Sequence, residues 1–146
     1  MSNTASSSGV MAGKKGLIMG VANERSIAWG IAAKLAEQGA ELAFTFQGEA
    51  LKKRVGPLAA SVGSNLVMPC DVTNEASMDT TFANLQKKWG KMDFLLHAIA
   101  YSDKEELKGG YVETSRDNFA RTMDISVYSF TAVARRAAAM MNDSGS

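Results

Sequence analysis

The sequence predicts an α/β fold on a doubly wound parallel sheet, and three observations lead there. Short apolar runs alternate with longer helical patterns in a regular beat, and strands separated by helices of that length form βαβ units with parallel strands. The first apolar run breaks at a glycine and feeds a helix N-terminus, the device by which α/β sheets hold a dinucleotide pyrophosphate. The later runs end on Gln47, Asp71-Val72 and Ala98-Ile99-Ala100, at the carboxyl strand ends where such sheets place their ligands. This is a Rossmann-type arrangement, and the beat stops after about four strands, so a sheet truncated at that point is expected.

The elements follow in order. Residues 1–13 are expected to be a disordered tail. Met1–Ala12 is rich in Ser, Thr and Asn, with neither the basic start nor the apolar core of a signal peptide. Residues 14–146 form a nucleotide-binding domain with no internal repeat or linker. Gly16–Met19 is the first strand and Ser26–Gln38 a helix closed by Gly39. Small residues at Ala28, Gly30 and Ala32 allow that helix close to the sheet. Glu41–Phe46 is the second strand, followed by a helix over 49–61 that Gly56-Pro57 is expected to interrupt. Leu66–Pro69 is a short third strand. Asn74–Trp89 is an amphipathic helix with Phe82, Leu85 and Trp89 on one face. Met92–Ala100 is the fourth and most apolar strand. After Gly109-Gly110, helical patterning runs from about Thr114 to Met141, bent or interrupted near Asp124.

Composition excludes several classes. A net charge of +1 gives no field favouring nucleic acid or an anionic membrane. A single cysteine, Cys70, forms no disulfide framework and suits a reducing compartment. No apolar run approaches the roughly 18 residues of a membrane helix. A cytoplasmic chain without nucleic-acid, membrane or metal partners is expected.

The first loop departs from the usual glycine spacing, G-x-G-x-x-G. Gly20 alone marks the strand end, where it supplies a tight, positive-φ turn. Ser26 either caps the helix or turns its hydroxyl to a phosphate oxygen. Gln47 stands where an acid for a ribose diol or an arginine for a 2′-phosphate is usual. It can hydrogen-bond a ribose or adenine, or be a plain turn amide. It offers a phosphate no charge, and Lys52, Lys53 and Arg54 lie a turn or two beyond, which leans toward NADH over NADPH. Asp71 either accepts from an adenine amino group, with Val72 as an apolar wall, or it or Thr73 caps the next helix. Cys70 has no basic neighbour in the sequence and reads as a buried thiol.

Gly20-x5-Ser26-Ile27-Ala28, Gln47, Asp71-Val72 and His97–Ala100 jointly resemble the bacterial enoyl-acyl-carrier-protein reductases, a divergent branch of the short-chain dehydrogenase/reductases. The stretches Gly20–Gly30, Glu41–Gln47 and Asp124–Phe130 match in wording as well as spacing, and the resemblance runs from about Lys14 onward. It implies reduction of a trans-2-enoyl thioester on acyl carrier protein by NADH, the last step of each type II fatty-acid elongation cycle, in a homotetramer. It implies that Gly20 and the Ser26 and Ile27 amides hold the pyrophosphate. Gln47 would face the adenosine, Asp71 and Val72 the adenine, and Ile99 the middle of the cofactor, with Tyr101 and Ser102 bordering the acyl site. Relatives often carry Gly, Phe and Ala where this chain has Ala100, Tyr101 and Ser102. His97, the only histidine, has a counterpart in the family that is not the proton donor, and a hydrogen-bonded structural role is expected for it.

The family's catalytic pair, a Tyr and a Lys separated by six residues, is not recognised here. Tyr101 and Lys108 have the spacing, but they fall after the fourth strand rather than the fifth, with Gly109-Gly110 directly behind. No catalytic residue is therefore assigned, and the chain resembles the cofactor-binding front half of a reductase, inactive alone. The fourth strand would then be an exposed edge that recruits other chains. Two alternatives remain: a carbonyl reductase of the same superfamily, and a non-catalytic nucleotide-binding module.

Overall fold

The computed structural model describes residues 9–146. Four strands, β1 (Lys15–Met19), β2 (Glu41–Phe46), β3 (Val67–Pro69) and β4 (Phe94–His97), form one sheet in the order β3-β2-β1-β4. All neighbours run parallel, with Leu17 opposite both Ala43 and Leu95. The predicted α/β class and parallel sheet are what the chain adopts.

The central strand explains the sheet. Leu17, Ile18 and Met19 are all fully buried, because helices cover both faces, and a strand buried on both sides reads as a continuous apolar run. On one face Ile18, Phe44 and Phe46 pack with α1 (Ile27–Glu37) and α2 (Glu49–Ser61) through Ala28, Ala32, Val55 and Ala59. On the other, Leu17, Met19 and Met68 pack with α3 (Glu75–Trp89) through Met78, Phe82 and Leu85, and with Ala132, Val133 and Ala137 of the final helix. Trp89 lies at the rim of that core, its indole N–H donating to Glu41 Oε1 at 2.8 Å.

Several expectations need correction. α2 is not interrupted: Pro57 sits inside it. Pro57 lies on the exposed side, where the Lys53 carbonyl that loses its helical partner can meet water, while Val55 and Ala59 anchor the helix to the sheet on either side of it. Gly30 does not face the sheet, since a Cβ there would meet open space; Ala28 and Ala32 make the close approach. β4 is shorter than 92–100, because the chain leaves the sheet after His97 and Ala98–Ala100 become a loop. Helical patterning over 114–141 resolves into α4 (Arg116–Met123), a π-turn (Asp124–Tyr128) and α5 (Ser129–Ala138), the break falling at Asp124 as expected.

The β4 edge is also less bare than expected. Asn142 N–H donates to the Met92 carbonyl at 2.8 Å, Ser146 N–H to Asp93 at 2.9 Å, and Leu95 N–H to Ser146 at 3.0 Å. The last residues thus pair with the edge as far as Leu95. Within the expected tail, Gly9–Gly13 make a turn docked on the end of α1, Met11 N–H donating to the Gln38 carbonyl at 3.0 Å. The expectation for residues 1–8 lies outside the described residues. No helix among the described residues is long and apolar enough to cross a membrane.

Candidate dinucleotide site

Parallel strands leave their carboxyl ends at one edge of the sheet, and the loops that follow them build a cleft there. It is lined by Gly20, Val21 and Ala22 after β1, by Phe46 and Gln47 at the end of β2, by Cys70, Val72 and Thr73 after β3, and by Ala98–Tyr101 after β4. Ile125, from the π-turn, closes the remaining side.

Gly20 is required by geometry. Its φ is +110°, and a Cβ there would stand 2.1 Å from the Ala98 carbonyl oxygen. The β1 and β4 loops therefore touch backbone to backbone, which no side chain allows. Ser26 is the N-cap residue by position, but its hydroxyl does not cap α1. It turns back and accepts from Ala22 N–H at 2.9 Å and Asn23 N–H at 3.1 Å, holding the loop closed. The Ser26 N–H, expected at the pyrophosphate, donates to the Asn23 carbonyl at 3.1 Å. Without a side-chain cap, the Ile27 and Ala28 N–H groups at the start of α1 have no partner within the helix. The Ile27 side chain is 80% exposed and lies outside the cleft, so its backbone is what the site can use.

Gln47 and Val72 line the cleft, Gln47 at its exposed mouth. Asp71 stands beside it rather than in it. Its Oδ1 accepts from both the N–H and the hydroxyl of Thr73, at 2.9 and 2.6 Å. Neither residue caps α3; Asn74 does, its side chain accepting from Ser77 N–H at 3.1 Å. Cys70 lines the cleft. Burial pushes its thiol up from the usual value, outweighing the Thr81 hydroxyl beside it, so it stays protonated and is no nucleophile. Lys53 and Arg54 do not reach the cleft; they line a neighbouring one with Asn23, Arg25 and Pro57.

Ile99 packs against the core from the cleft wall. Tyr101 is fixed from two sides. The Arg121 guanidinium lies 4.8 Å from its ring centre, and Ser126 Oγ takes its N–H at 3.0 Å while donating to its carbonyl at 3.2 Å. Ser102, which the resemblance places at the acyl site, lines a second cleft with Glu106, Tyr111, Asn118 and Phe119. It accepts there from Asn118 Nδ2 at 3.2 Å. Tyr101 and Lys108 do not form a pair along one helix. A 3₁₀ turn (Lys104–Leu107) intervenes, and Lys108 Nζ is held 2.9 Å from Glu105.

Ile125 is the wall residue that the sequence reading missed, together with Val21, Ala22 and Thr45. The helical break near Asp124 was the available signal for Ile125. His97 behaves as expected of a structural histidine: Nε2 lies 2.7 Å from Ser129 Oγ, and the ring meets Phe130 edge-on at 5.6 Å. Burial lowers its pKa from the usual 6.5. The unfolded chain then binds more protons than the folded one as the pH falls through 6.5, and stability declines from there downward. Asp93, held low mainly by Asn142 and also by the Lys15 N–H, loses its contribution only below the ordinary carboxylate range. We expect the urea midpoint to fall between pH 7.5 and 5.5, and this drop to shrink in His97→Gln. A midpoint unchanged over that interval contradicts the assignment.

The chain is similar to known proteins over nearly all of its length. Residues 20–146 match the family model described as enoyl-(acyl carrier protein) reductase. The chain is 66% identical to enoyl-[acyl-carrier-protein] reductase [NADH] 1 of Rhizobium meliloti over 142 residues, 97% of this chain and 52% of that protein. It is 48% identical to FabI of Bacillus subtilis over 92% of this chain and 53% of that one. The enoyl-acyl-carrier-protein reductase of Anaplasma phagocytophilum, solved in complex with NAD, superposes with a TM-score of 0.89 at 52% identity, over 94% of this chain and 53% of that one. The chain spans about half the length of the relatives it matches. On the family match and these identities, this chain belongs to the enoyl-(acyl carrier protein) reductase family.

Proposed function

We propose that this chain supplies the NADH-binding half of an enoyl-acyl-carrier-protein reductase acting in type II fatty-acid synthesis. The observation that carries the reading is the cleft at the carboxyl ends of the strands, where the backbone of Gly20 meets that of Ala98 and the loop after β1 leads into α1, whose first N–H groups have no partner within the helix. Those groups, at Ile27 and Ala28, suit pyrophosphate oxygens, with the helix dipole adding to the attraction. Gln47 faces the adenosine without a charge for a 2′-phosphate, which favours NADH over NADPH. Val72 gives the adenine an apolar wall, and Asp71, whose Oδ1 is committed to Thr73, offers its other oxygen to the adenine amino group. Ile99 and Ile125 flank the middle of the cofactor, and Ile99 with Tyr101 leads toward the acyl end. Ser102 contacts substrate only if the acyl or carrier portion extends into the second cleft.

When bound, NADH supplies the hydride for the β-carbon of a trans-2-enoyl thioester. The chain's own residues bind and orient the carrier and shield it from water. No residue here is assigned to deliver the proton: Tyr101 and Lys108 are held apart by their own partners. By family we further propose a cytoplasmic homotetramer. An exposed apolar stripe of Phe119, Met123, Val127 and Phe130, each between 42% and 55% exposed, supports self-association through α4 and α5.

The test is a fluorescence titration of the 146-residue chain with NADH and NADPH, followed by an assay with a trans-2-enoyl thioester. Saturable binding that favours NADH, without oxidation of the bound NADH, is expected. Failure to bind either nucleotide overturns the cofactor assignment. Turnover by this chain alone overturns the statement that it lacks the proton-delivering group.

A further inference from the structure

The π-turn that brings Ile125 to the cleft has a carbonyl to account for. In a π-turn each N–H reaches back five residues rather than four, and Ser129 N–H indeed donates to Asp124. The carbonyl that an α-helix would have offered to Ser129 N–H is that of Ile125. Ser129 Oγ takes it, donating at 2.6 Å. Ser129 is completely buried, and its single hydroxyl proton is committed by that bond.

His97 Nε2 lies 2.7 Å from the same oxygen. Since the serine proton goes to Ile125, the hydroxyl can only accept from the ring, which places the imidazole proton on Nε2 and leaves Nδ1 bare. The edge contact with Phe130 holds the ring plane. A continuous chain of hydrogen bonds therefore runs from the last residue of β4, through Ser129, to the carbonyl of Ile125. Both ends of this chain adjoin the cleft. Ile99, two residues after His97, and Ile125 both line it. The next residue, Ser126, grips Tyr101 at both its N–H and its carbonyl.

We infer that His97 and Ser129 are positioning residues of the cofactor cleft: the Nε2–H to Ser129 to Ile125 hydrogen bonds lock the π-turn and thereby fix the spacing between the Ile99 and Ile125 walls. This rests on the cofactor reading above. What the network needs from position 97 is an N–H donor at the reach of Nε2, neither a charge nor an acid. Glutamine carries such a donor at similar reach; leucine, of comparable bulk, carries none. With Ser129 unpaired from the ring, its hydroxyl and the Ile125 carbonyl lose their fixed geometry inside a buried site, where unsatisfied groups are costly.

Three measurements on the 146-residue chain test this. Nitrogen-15 spectra of the His97 ring at pH 7.5 are expected to show Nε2 protonated and Nδ1 not; the opposite tautomer overturns the network whatever the chain binds. His97→Leu is expected to raise the NADH dissociation constant about tenfold, one hydrogen bond's worth, and His97→Gln to restore it to within about threefold of the unaltered chain. Amide exchange at Ser129 and Tyr101 is expected to quicken in His97→Leu and recover in His97→Gln, a readout that needs no ligand. Should the unaltered chain fail to bind NADH, the cofactor reading falls, while the tautomer and exchange results still decide the network. A glutamine variant as impaired as the leucine variant overturns the inference, as does a leucine variant equal to the unaltered chain.

Discussion

Gly20→Ala is expected to destabilise the chain by about 3 kcal/mol and to weaken NADH binding by more than tenfold in the molecules that remain folded. Two costs combine. A non-glycine residue in sparsely populated positive-φ backbone costs of order 1–3 kcal/mol, and Gly20 sits at φ +110°. The added methyl would also lie 2.1 Å from the Ala98 carbonyl oxygen and 2.6 Å from its carbon. Those atoms are backbone, so relief requires the β1 and β4 loops to separate, and the cleft opens with them. Gly48→Ala is the control. It too has positive φ, at 82° with ψ 158°, but nothing lies within 4 Å of the new methyl, so only the backbone cost, of order 1–3 kcal/mol, applies. Urea denaturation of the two variants should therefore separate the clash from the strain. Equal losses in both would show that the contact with Ala98 carries no weight.

Phe44→Ala is expected to cost about 3–5 kcal/mol, a large share of the 5–15 kcal/mol typical of a whole domain. Phe44 is fully buried on β2. It packs between the Trp29 ring of α1, 6.3 Å away, and the cluster containing Val55 and Ala59 of α2. α2 borders the site through Leu51, and α1 follows directly on the loop whose Gly20, Val21 and Ala22 line it. Losing the ring loosens the seat of both, so weaker NADH binding should accompany the lower urea midpoint. Phe44→Leu fills most of the volume and is expected to lose less than about 1.5 kcal/mol. If alanine costs no more than leucine, the face under α1 and α2 is not the packed core described here.

The parts of the fold that follow from local chemistry were legible in the residues. Continuous apolar runs marked β1 and β2, and Gly39 with φ +96° closed α1 where its sequence position suggested. What was not legible arose from long-range packing. Pro57 looked like a helix stop, but the sheet anchors α2 on both sides of it. β4 read as nine residues of apolar strand, yet the chain bends out after His97, where the Ala98 carbonyl meets Gly20. The site divides in the same way. Residues at strand ends, Gly20, Gln47, Val72 and Ile99, converge as the topology requires. Ser26 and Asp71 were legible as to place but not as to partner, because Ser26 Oγ and Asp71 Oδ1 accept from loop N–H groups four residues or fewer away. Ile125 was not singled out as a wall, although the break near Asp124 marks the π-turn that carries it, and Ser102 lines a second cleft beside Asn118.

The central claim is that the carboxyl ends of these four strands hold NADH, and amide hydrogen exchange of the 146-residue chain at saturating NADH tests it most directly. Slowed exchange at Gly20–Ala28, Gln47, Val72 and Ile99–Tyr101, with little change elsewhere, is the expected result. Protection confined to the cleft around Ser102, Glu106 and Asn118, or to the one around Arg25, Lys53 and Arg54, would contradict it.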